Sequence, residues 1–430
     1  MYCQGNGGVS SPVSIETIIR EFIRPFDLSH APLLRVGLIN LESHRRILMV
    51  DMHHIISDAV SLEIFTRDFI ALYAGEVLPG LRIDYKDYSQ WQKSEKYREG
   101  IRGQEVFWIN ELSGEIPVLD LPTDNVRPVV QSFEGKQVEF RLEEAGTRAL
   151  KEMALEEDVT VFIVLVSVFN IWLSKLSGQE EIVVGTPVAG RRHDDLEQIM
   201  GLLINTLALR SYPGGEKTFR WFLREVRERT LAALENQDYP FEDLVEKVVN
   251  RRDLSRNPLF DVMLVLQNTG VSRLEMPGVK IRPYEYETGY SKFDLVLNGE
   301  ESDGELVFKL RFCTRLFRES TIGRYVEYFK AIVSAVLADR EVRIGEIGIL
   351  SERERWEILR EFNDTLVPYA KDETVHRLFE RRVEEEGDHT AVVGRVLGGE
   401  GEGCESGRVT VTYRQLNLGS QKLADRLKER

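Results

Sequence analysis

The stretch MVDMHHIISDAVS, residues 49–61, ends an apolar run with two adjacent histidines, and an aspartate follows the second histidine by four positions. The alternation of residues 46–53 predicts a strand that pairs in an antiparallel hairpin with a strand over residues 33–40. On this alternation His54 continues the apolar face of the strand, whereas His53 points to the opposite face. We therefore expect His54 to form the floor of a site and His53 to pack or form hydrogen bonds.

Asp58 is predicted to lie in the turn between this strand and a helix that ends near Gly75. The helix is indicated by apolar residues at helical spacing, namely Val60, Ile64, Phe69, Leu72 and Tyr73. A buried carboxylate needs a cationic partner. Arg191, in the sequence TPVAGRR, is one candidate for that partner.

Size and composition limit the classes of protein to which the chain can belong. Its 430 residues suffice for two or three domains. The formal net charge of −15 argues against nucleic acid or an anionic membrane as the main partner. Three widely spaced cysteines form neither a disulfide framework nor a CxxC metal site, so we expect a cytoplasmic protein. The N-terminal residues do not resemble a signal peptide, and residues 159–176 predict a buried helix rather than a membrane span.

The chain is predicted to be a mixed α/β protein with four consecutive parts. Residues 119–133 are rich in proline and polar side chains and predict a crossover between two lobes. The predicted parts are a first lobe over residues 1–125, a second lobe over 126–350, a linker over 351–373 and a further segment over 374–430 that contains a flexible loop at 398–407. Within the second lobe the predicted strands cover residues 137–142, 182–187, 203–209, 261–267 and 306–313, and the helices cover 159–176, 219–237 and 321–337.

Several catalytic signatures are missing from the sequence. It contains no GxSxG, HExxH, GxxxxGK[ST] or GxGxxG motif, so the serine hydrolase, zincin, P-loop and dinucleotide-binding classes lack support. A histidine without a nearby nucleophile favours direct transfer. In such a reaction His54 would help an amine or alcohol attack an activated acyl group without an acyl-enzyme.

Four further stretches, taken singly, are ordinary structural sequence. They are YKDYSQW (85–91), MGLLINTLALR (200–210), NQDYPFE (236–242) and RDLSRNPL (252–259). Asn205 in the second of them is unusual, because an amide between leucines in a strand must find hydrogen-bond partners.

Together with MHHIISDAVS, and in this order, these stretches resemble the condensation domains of nonribosomal peptide synthetases. The tail sequences TVHRLFERRVEEEGDHTAVV and VTYRQLN look like the start of the adenylation domain that commonly follows. The resemblance implies two lobes of the chloramphenicol-acetyltransferase type in a V arrangement with a tunnel between them. It also implies that donor and acceptor carrier proteins deliver 4'-phosphopantetheine-tethered substrates, that the domain binds no cofactor itself, and that an adenylation domain adjoins it.

The resemblance assigns roles to particular residues. His54 matches the histidine that acts on the amine or the tetrahedral intermediate, His53 is its motif neighbour, and Asp58 matches the aspartate whose ion pair shapes the site. Arg191 is the expected partner of Asp58. Asn205 and Asn257 are expected to be structural or tunnel residues.

The chain departs from the family pattern in three ways. Ala59 stands where the family usually has glycine, so we expect a changed backbone angle or altered space beside the tunnel. Two family motifs expected upstream of residue 1 are absent, which predicts a fragment with a partial first lobe. The segment 374–430 stops before any phosphate-binding motif, so adenylation by this chain is excluded.

Three alternatives to peptide-bond formation stay open at this stage. The same fold supports epimerisation with a similar histidine motif. A truncated domain could serve as an inactive docking module for carrier proteins. A free-standing acyltransferase using an acyl-CoA donor is a third alternative, which the adenylation-like tail disfavours.

Overall fold

A computed structural model describes most of the chain in two compact units. The described residues are 14–41, 45–249, 253–267, 275–282, 284, 286, 288–368, 371–395 and 408–429. The first unit ends at Ser351 and the second begins at Glu352. The Gly-rich loop predicted over residues 398–407 lies outside the described residues, and the boundary between two lobes at residue 125 stays a prediction.

The described residues in the first part of the larger unit form a two-stranded sheet and five α-helices. Strands β1 and β2 pair antiparallel, with Val36 opposite Val50 and Leu38 opposite Leu48. The elements in chain order are α1 (Ile15–Phe22), β1 (Leu34–Asn40), β2 (Arg46–Met52), α2 (Ala59–Tyr73), α3 (Tyr85–Gln92), α4 (Glu95–Gly100) and α5 (Arg102–Glu111). The predicted hairpin and the helix after it are thus present, but the second strand ends at Met52 and not at His53.

The rest of the larger unit is built on a six-stranded mixed sheet. Its elements are β3 (Gly135–Leu142), α6 (Glu144–Glu156), α7 (Val161–Ser177), β4 (Ile182–Val188), β5 (Asn205–Ser211), α8 (Phe219–Glu235), α9 (Phe241–Val248), β6 (Val262–Gln267), the short hairpin β7 (Glu275–Met276) and β8 (Val279–Lys280), β9 (Leu295–Ser302), β10 (Glu305–Cys313) and α10 (Glu319–Ala338). The strand order in the sheet is β3-β10-β9-β6-β4-β5. Strand β6 pairs parallel with β4 and β9, and the other neighbours pair antiparallel.

Helix α7 is the centre of the core. Its residues from Ile163 to Leu173 are all buried, because α8, α10 and the sheet pack around it. Trp172 packs edge-on against Phe329, at 6.1 Å between ring centroids, and its indole N–H donates to the Tyr325 carbonyl at 2.9 Å. The sequence prediction of a buried helix here is correct. Among the described residues no single helix has the length and apolarity of a membrane span; α6 and α7 meet that test only as a pair bent by 106°.

In the smaller unit, the described residues form two helices and a hairpin after a short helical start. Its elements are α11 (Glu352–Trp356), a π-helical turn (Glu357–Glu361), α12 (Val375–Glu386), β11 (Thr390–Arg395), β12 (Arg408–Thr412) and α13 (Tyr413–Lys428). Helix α13 begins with a capping box in which Thr412 and Gln415 exchange hydrogen bonds.

Gly185 in β4 lies close to the Phe260 ring, and this contact provides a test of how the sheet is packed. A Cβ atom added there would lie 2.1 Å from Cε2 of Phe260, whereas one added at Gly146 in α6 meets nothing within 4 Å. We predict that Gly185→Ala lowers the free energy of unfolding by about 1–3 kcal/mol through overpacking. Gly146→Ala, the matched control, should raise it by about 0.5–1 kcal/mol. Urea denaturation measures both, and equal effects of the same sign would contradict this packing.

Candidate functional site

The two histidines lie in a tight turn between β2 and α2. His53 caps a 3-10 turn over His54–Ile56, and its Nδ1 accepts a hydrogen bond from the Ile55 N–H at 3.1 Å. The backbone N–H of Ile56 donates to the His53 carbonyl at 3.1 Å. The expectation that His54 continues the apolar face of the strand is therefore wrong: helical hydrogen bonding ends the period-two alternation at Met52, and the His54 ring lies in an exposed turn.

The His54 ring is held in one tautomer. Its Nδ1 lies 2.6 Å from the carbonyl oxygen of Ser57. A carbonyl can only accept, so Nδ1 carries the hydrogen and donates it. In the neutral ring Nε2 therefore has a free lone pair, which is the state that a proton acceptor requires.

His53 is held in the opposite tautomer. Because its Nδ1 accepts from Ile55, the hydrogen of the neutral ring is on Nε2. Its ring also meets Phe26 edge-on, with centroids 6.0 Å apart. These contacts favour a capping and packing role for His53 and leave His54 as the better proton acceptor.

Asp58 and Arg191 form a buried, two-pronged ion pair. Arg191 Nη1 donates to Asp58 Oδ2 at 2.8 Å, and Nη2 donates to Oδ1 at 2.9 Å. The Asp58 side chain is 2% exposed and that of Arg191 4%. The pair that the sequence suggested is thus present, and it joins the first turn of α2 to the segment after β4.

Other donors complete the shell of the Asp58 carboxylate. Asp58 is the N-cap of α2 and accepts from the N–H and hydroxyl of Ser61, both at 2.8 Å, and from the N–H of Leu203 at 3.1 Å. Burial alone would raise the pKa of the Asp58 carboxyl, but the hydrogen bonds from Arg191, Ser61 and Leu203 outweigh it and lower that pKa. Asp58 is therefore a carboxylate whose negative charge pairs with Arg191 and caps α2 inside the protein.

Sequence reasoning missed Ser61 and Leu203, which donate to Asp58, and Gly201, which donates to Ser61. The Ser61 hydroxyl accepts from the Gly201 N–H at 3.0 Å, 140 positions along the chain. The Asp-x-x-Ser spacing of a helix cap is a signal that could have identified Ser61. Backbone groups such as the N–H of Leu203 leave no signal in the sequence.

Asn205 satisfies all of its amide groups at the start of β5. Its Nδ2 donates to the carbonyls of Gln237 and Tyr239 at 2.8 and 2.7 Å. Its Oδ1 accepts from the N–H groups of Thr206 and Phe241 at 2.9 and 3.1 Å. Asn205 thus ties the NQDYPFE turn to the sheet, which explains an amide within an apolar strand.

Ala59 and Asn257 lie in different surroundings. Ala59 is the exposed first residue of α2 and is not among the described non-glycine residues with positive φ. The first turn of a helix needs only ordinary angles, so alanine fits this position. The expected change in backbone angle or in space beside the tunnel, relative to family members with glycine, stays a prediction. Asn257 donates to the Lys292 carbonyl at 2.9 Å and lines a cavity of about 950 Å³ with Phe241, Phe260 and other residues.

The described site is open around His54. Neither His53 nor His54 lines the cavity of about 950 Å³, and a channel from that cavity to the His54 ring stays a prediction. Among the residues that the structure describes, no group of three or more His, Cys, Asp or Glu side chains is arranged to hold a metal ion. In the described geometry, Nε2 of the neutral His54 ring can accept a proton, and hydrogen bonds hold the turn that contains it.

Removal of the Asp58 carboxylate tests the ion pair. Asp58→Ala leaves the buried guanidinium of Arg191 without its partner, so we predict a loss of about 3–5 kcal/mol in the free energy of unfolding. The control is Glu144→Gln, which removes one member of the exposed pair between Arg148 and Glu144 and should change stability little. Chemical denaturation compares the two variants, and a similar small loss in both would contradict a central role for the buried pair.

The lowered pKa of Asp58 also predicts how the stability difference depends on pH. Since the folded-state pKa lies below the unfolded value near 3.8, the charged carboxylate stabilises the fold above that value. This contribution decreases as pH falls through the folded-state pKa. The difference in unfolding free energy between wild type and Asp58→Asn should therefore stay constant above about pH 5 and shrink below about pH 4. A difference that grows on acidification has the wrong sign for this account.

Comparisons with known proteins identify the family of the chain. The family described as Condensation domain matches residues 8–359. The chain is 44% identical to Gramicidin S synthase 2 of Brevibacillus brevis over 424 residues, which is 98% of the chain and 9% of the relative. It is also 44% identical to Tyrocidine synthase 3 of Brevibacillus parabrevis over 418 residues, which is 96% of the chain and 6% of the relative. The chain thus spans less than a tenth of the length of these two curated relatives.

Solved structures show the same fold. A four-domain nonribosomal peptide synthetase bound to AMP and glycine has a TM-score of 0.77 at 24% identity, over 94% of this chain and 31% of that chain. The condensation domain of a monacolin K polyketide synthase has a TM-score of 0.68 at 15% identity, over 75% and 76% of the two chains. The likeness confirms the predicted α/β fold of the chloramphenicol-acetyltransferase type. Because the family match covers residues 8–359, the chain belongs to the Condensation domain family.

Proposed function

We propose that the chain joins a donor aminoacyl or peptidyl thioester to the amine of an acceptor aminoacyl thioester. The substrates would arrive on 4'-phosphopantetheine arms of donor and acceptor carrier proteins. Membership of the family supports the reaction class, and the synthetase relatives support the carrier proteins as partners. The observation that carries the proposal is the Nδ1–H tautomer of His54, which leaves Nε2 free.

The reaction needs one proton to move. As the acceptor nitrogen attacks the thioester carbonyl, a C–N bond forms and His54 Nε2 takes a proton from that nitrogen. The C–S bond of the tetrahedral intermediate then breaks, and the proton passes from His54 to the departing thiolate. Atoms and charges balance without an acyl-enzyme, in agreement with the sequence-based expectation of direct transfer.

His53, Asp58 and Arg191 would support this chemistry without touching the substrate. His53 caps the turn that contains His54, and the ion pair holds the first turn of α2 just after it. Asn205 and Asn257 would be structural or tunnel residues, as expected from the resemblance. Ala59 is proposed to affect only the space beside the tunnel.

We also propose that residues 374–430, which form most of the smaller unit, are the start of an adjoining adenylation domain. The family match ends at residue 359, whereas the alignment to Gramicidin S synthase 2 covers 98% of the chain. The four-domain synthetase structure covers 94% of the chain, whereas the monacolin condensation domain covers 75%. The chain would then act in the cytoplasm as one part of a larger synthetase, with residues 1–125 and 126–350 as its two lobes and 351–373 as a linker.

Substitution of His54 tests the proposed reaction. With aminoacyl thioesters loaded on both carrier proteins, His54→Ala should lower the rate of dipeptide formation by about 10²–10⁴-fold, the usual contribution of a positioned acid or base. The control is His193→Ala, because His193 also caps a 3-10 turn through Nδ1, but that turn, Asp194–Leu196, lies between β4 and β5. Mass spectrometry of the released product measures both rates.

The same assay separates the alternatives. Inverted configuration of the donor without a dipeptide would point to epimerisation, and full activity of an acyl-CoA donor would point to a free-standing acyltransferase. If His54→Ala forms dipeptide at the wild-type rate, the role proposed for His54 is wrong. A wild-type chain that binds carrier proteins but forms no product would support a docking module.

A further inference from the structure

Ser61 is a fully buried hydroxyl at the meeting point of two distant segments. It lies in the first turn of α2, three residues after Asp58, with no exposed surface. Its Oγ contacts Asp58 Oδ1 at 2.8 Å, Arg191 Nη2 at 3.3 Å, the Gly201 N–H at 3.0 Å and the Gly201 carbonyl at 3.0 Å.

Hydrogen-bond capacity decides how these contacts are used. A serine hydroxyl has one hydrogen to donate and two lone pairs to accept with. The N–H groups of Gly201 and Arg191 occupy the two lone pairs. The hydrogen goes to Asp58 Oδ1 rather than to the Gly201 carbonyl, because the charged acceptor is closer and forms the stronger bond.

Residues 199–203, here called the strap, are held by side chains that form hydrogen bonds with four of their backbone groups. Arg191 donates to the Ile199 carbonyl at 3.1 Å, and Ser61 accepts from the Gly201 N–H. The Tyr85 hydroxyl donates to the Leu202 carbonyl at 3.1 Å, and Asp58 accepts from the Leu203 N–H. Every one of these partners is a side chain of α2 or its cap, of α3 or of the segment after β4.

The backbone at Gly201 packs closely against the Tyr85 ring. A Cβ atom added at Gly201 would lie 2.1 Å from Cδ2 of the Tyr85 ring. The Gly201 N–H is buried, and Ser61 is its acceptor. A strap that loses this hydrogen bond has an unpaired donor and must shift away from α2.

We propose that Ser61 is a positioning residue for His54. Its hydrogen bonds hold α2 against the strap. Asp58, the N-cap of α2, directly follows Ser57 in the chain. The Ser57 carbonyl accepts the hydrogen bond from His54 Nδ1. A shift of α2 against the strap would move the Ser57 carbonyl and loosen the His54 tautomer. The proposal rests on the proposed function for its effect on rate, but the tautomer itself can be measured without any substrate.

The experiment compares Ser61→Ala with Ser167→Ala in the full chain. Ser167 is the matched control because it too has no exposed surface and lies in a helix, but its hydroxyl donates only to the Ile163 carbonyl within α7. Ser61→Thr keeps the hydroxyl and serves as the rescue variant. Three readouts are collected: unfolding midpoint, kcat and KM for dipeptide formation, and the ¹⁵N signals of labelled histidine, assigned with His54→Ala.

We expect Ser61→Ala to lower kcat by about 10- to 100-fold with KM changed by less than about twofold, as a misplaced catalytic group does. The His54 signals should move from the Nδ1–H tautomer towards a mixture. Ser167→Ala should leave kcat and the His54 signals unchanged, even where it lowers the unfolding midpoint as much. Ser61→Thr should restore the tautomer.

Two results would overturn the proposal. One is a Ser61→Ala variant whose His54 signals are those of wild type. The other is equal loss of kcat in Ser61→Ala and Ser167→Ala, which would show a general effect of stability. If the wild-type chain forms no dipeptide, the proposed function fails, but the tautomer comparison still decides whether Ser61 positions His54.

Discussion

The buried ion pair between Asp58 and Arg191 is the interaction on which the rest of the site depends. Two charges with almost no exposed surface are stable in a protein interior only when hydrogen bonds satisfy most of their polar atoms. Here those bonds come from Ser61 and from the backbone of Leu203, and Arg191 Nε is left as a buried atom without a partner among the described residues. Satisfying the pair therefore brings α2 and the segment before β5 together and holds them in register.

The turn that contains the two histidines is short, and hydrogen bonds to nearby backbone groups hold it in place. One residue, His53, caps the turn with a ring nitrogen, and the next, His54, donates to a carbonyl three residues later. Identical side chains thus take opposite tautomers at adjacent positions, because each meets a different backbone group. This difference gives a physical reason why one histidine of the pair can accept a proton in the reaction proposed for this member of the Condensation domain family.

Sequence patterns predicted the helices and strands more accurately than they predicted the contacts between these elements. Period-two alternation located β1 and β2, and the apolar run of α7 was correctly predicted to be buried. The alternation failed at His54, because a local 3-10 turn ended the strand at Met52. The need of Asn205 for partners followed from its apolar flanks, but the partners themselves, the Gln237 and Tyr239 carbonyls, come from the fold and have no sequence signal.

A crystal structure of the chain with an acceptor aminoacyl-pantetheine bound would show whether His54 Nε2 can receive the proton of the attacking amine. We expect the amine nitrogen within about 3.2 Å of Nε2, with Nδ1 still bonded to the Ser57 carbonyl. An amine bound beside His53, or one separated from Nε2 by protein atoms, would contradict this expectation.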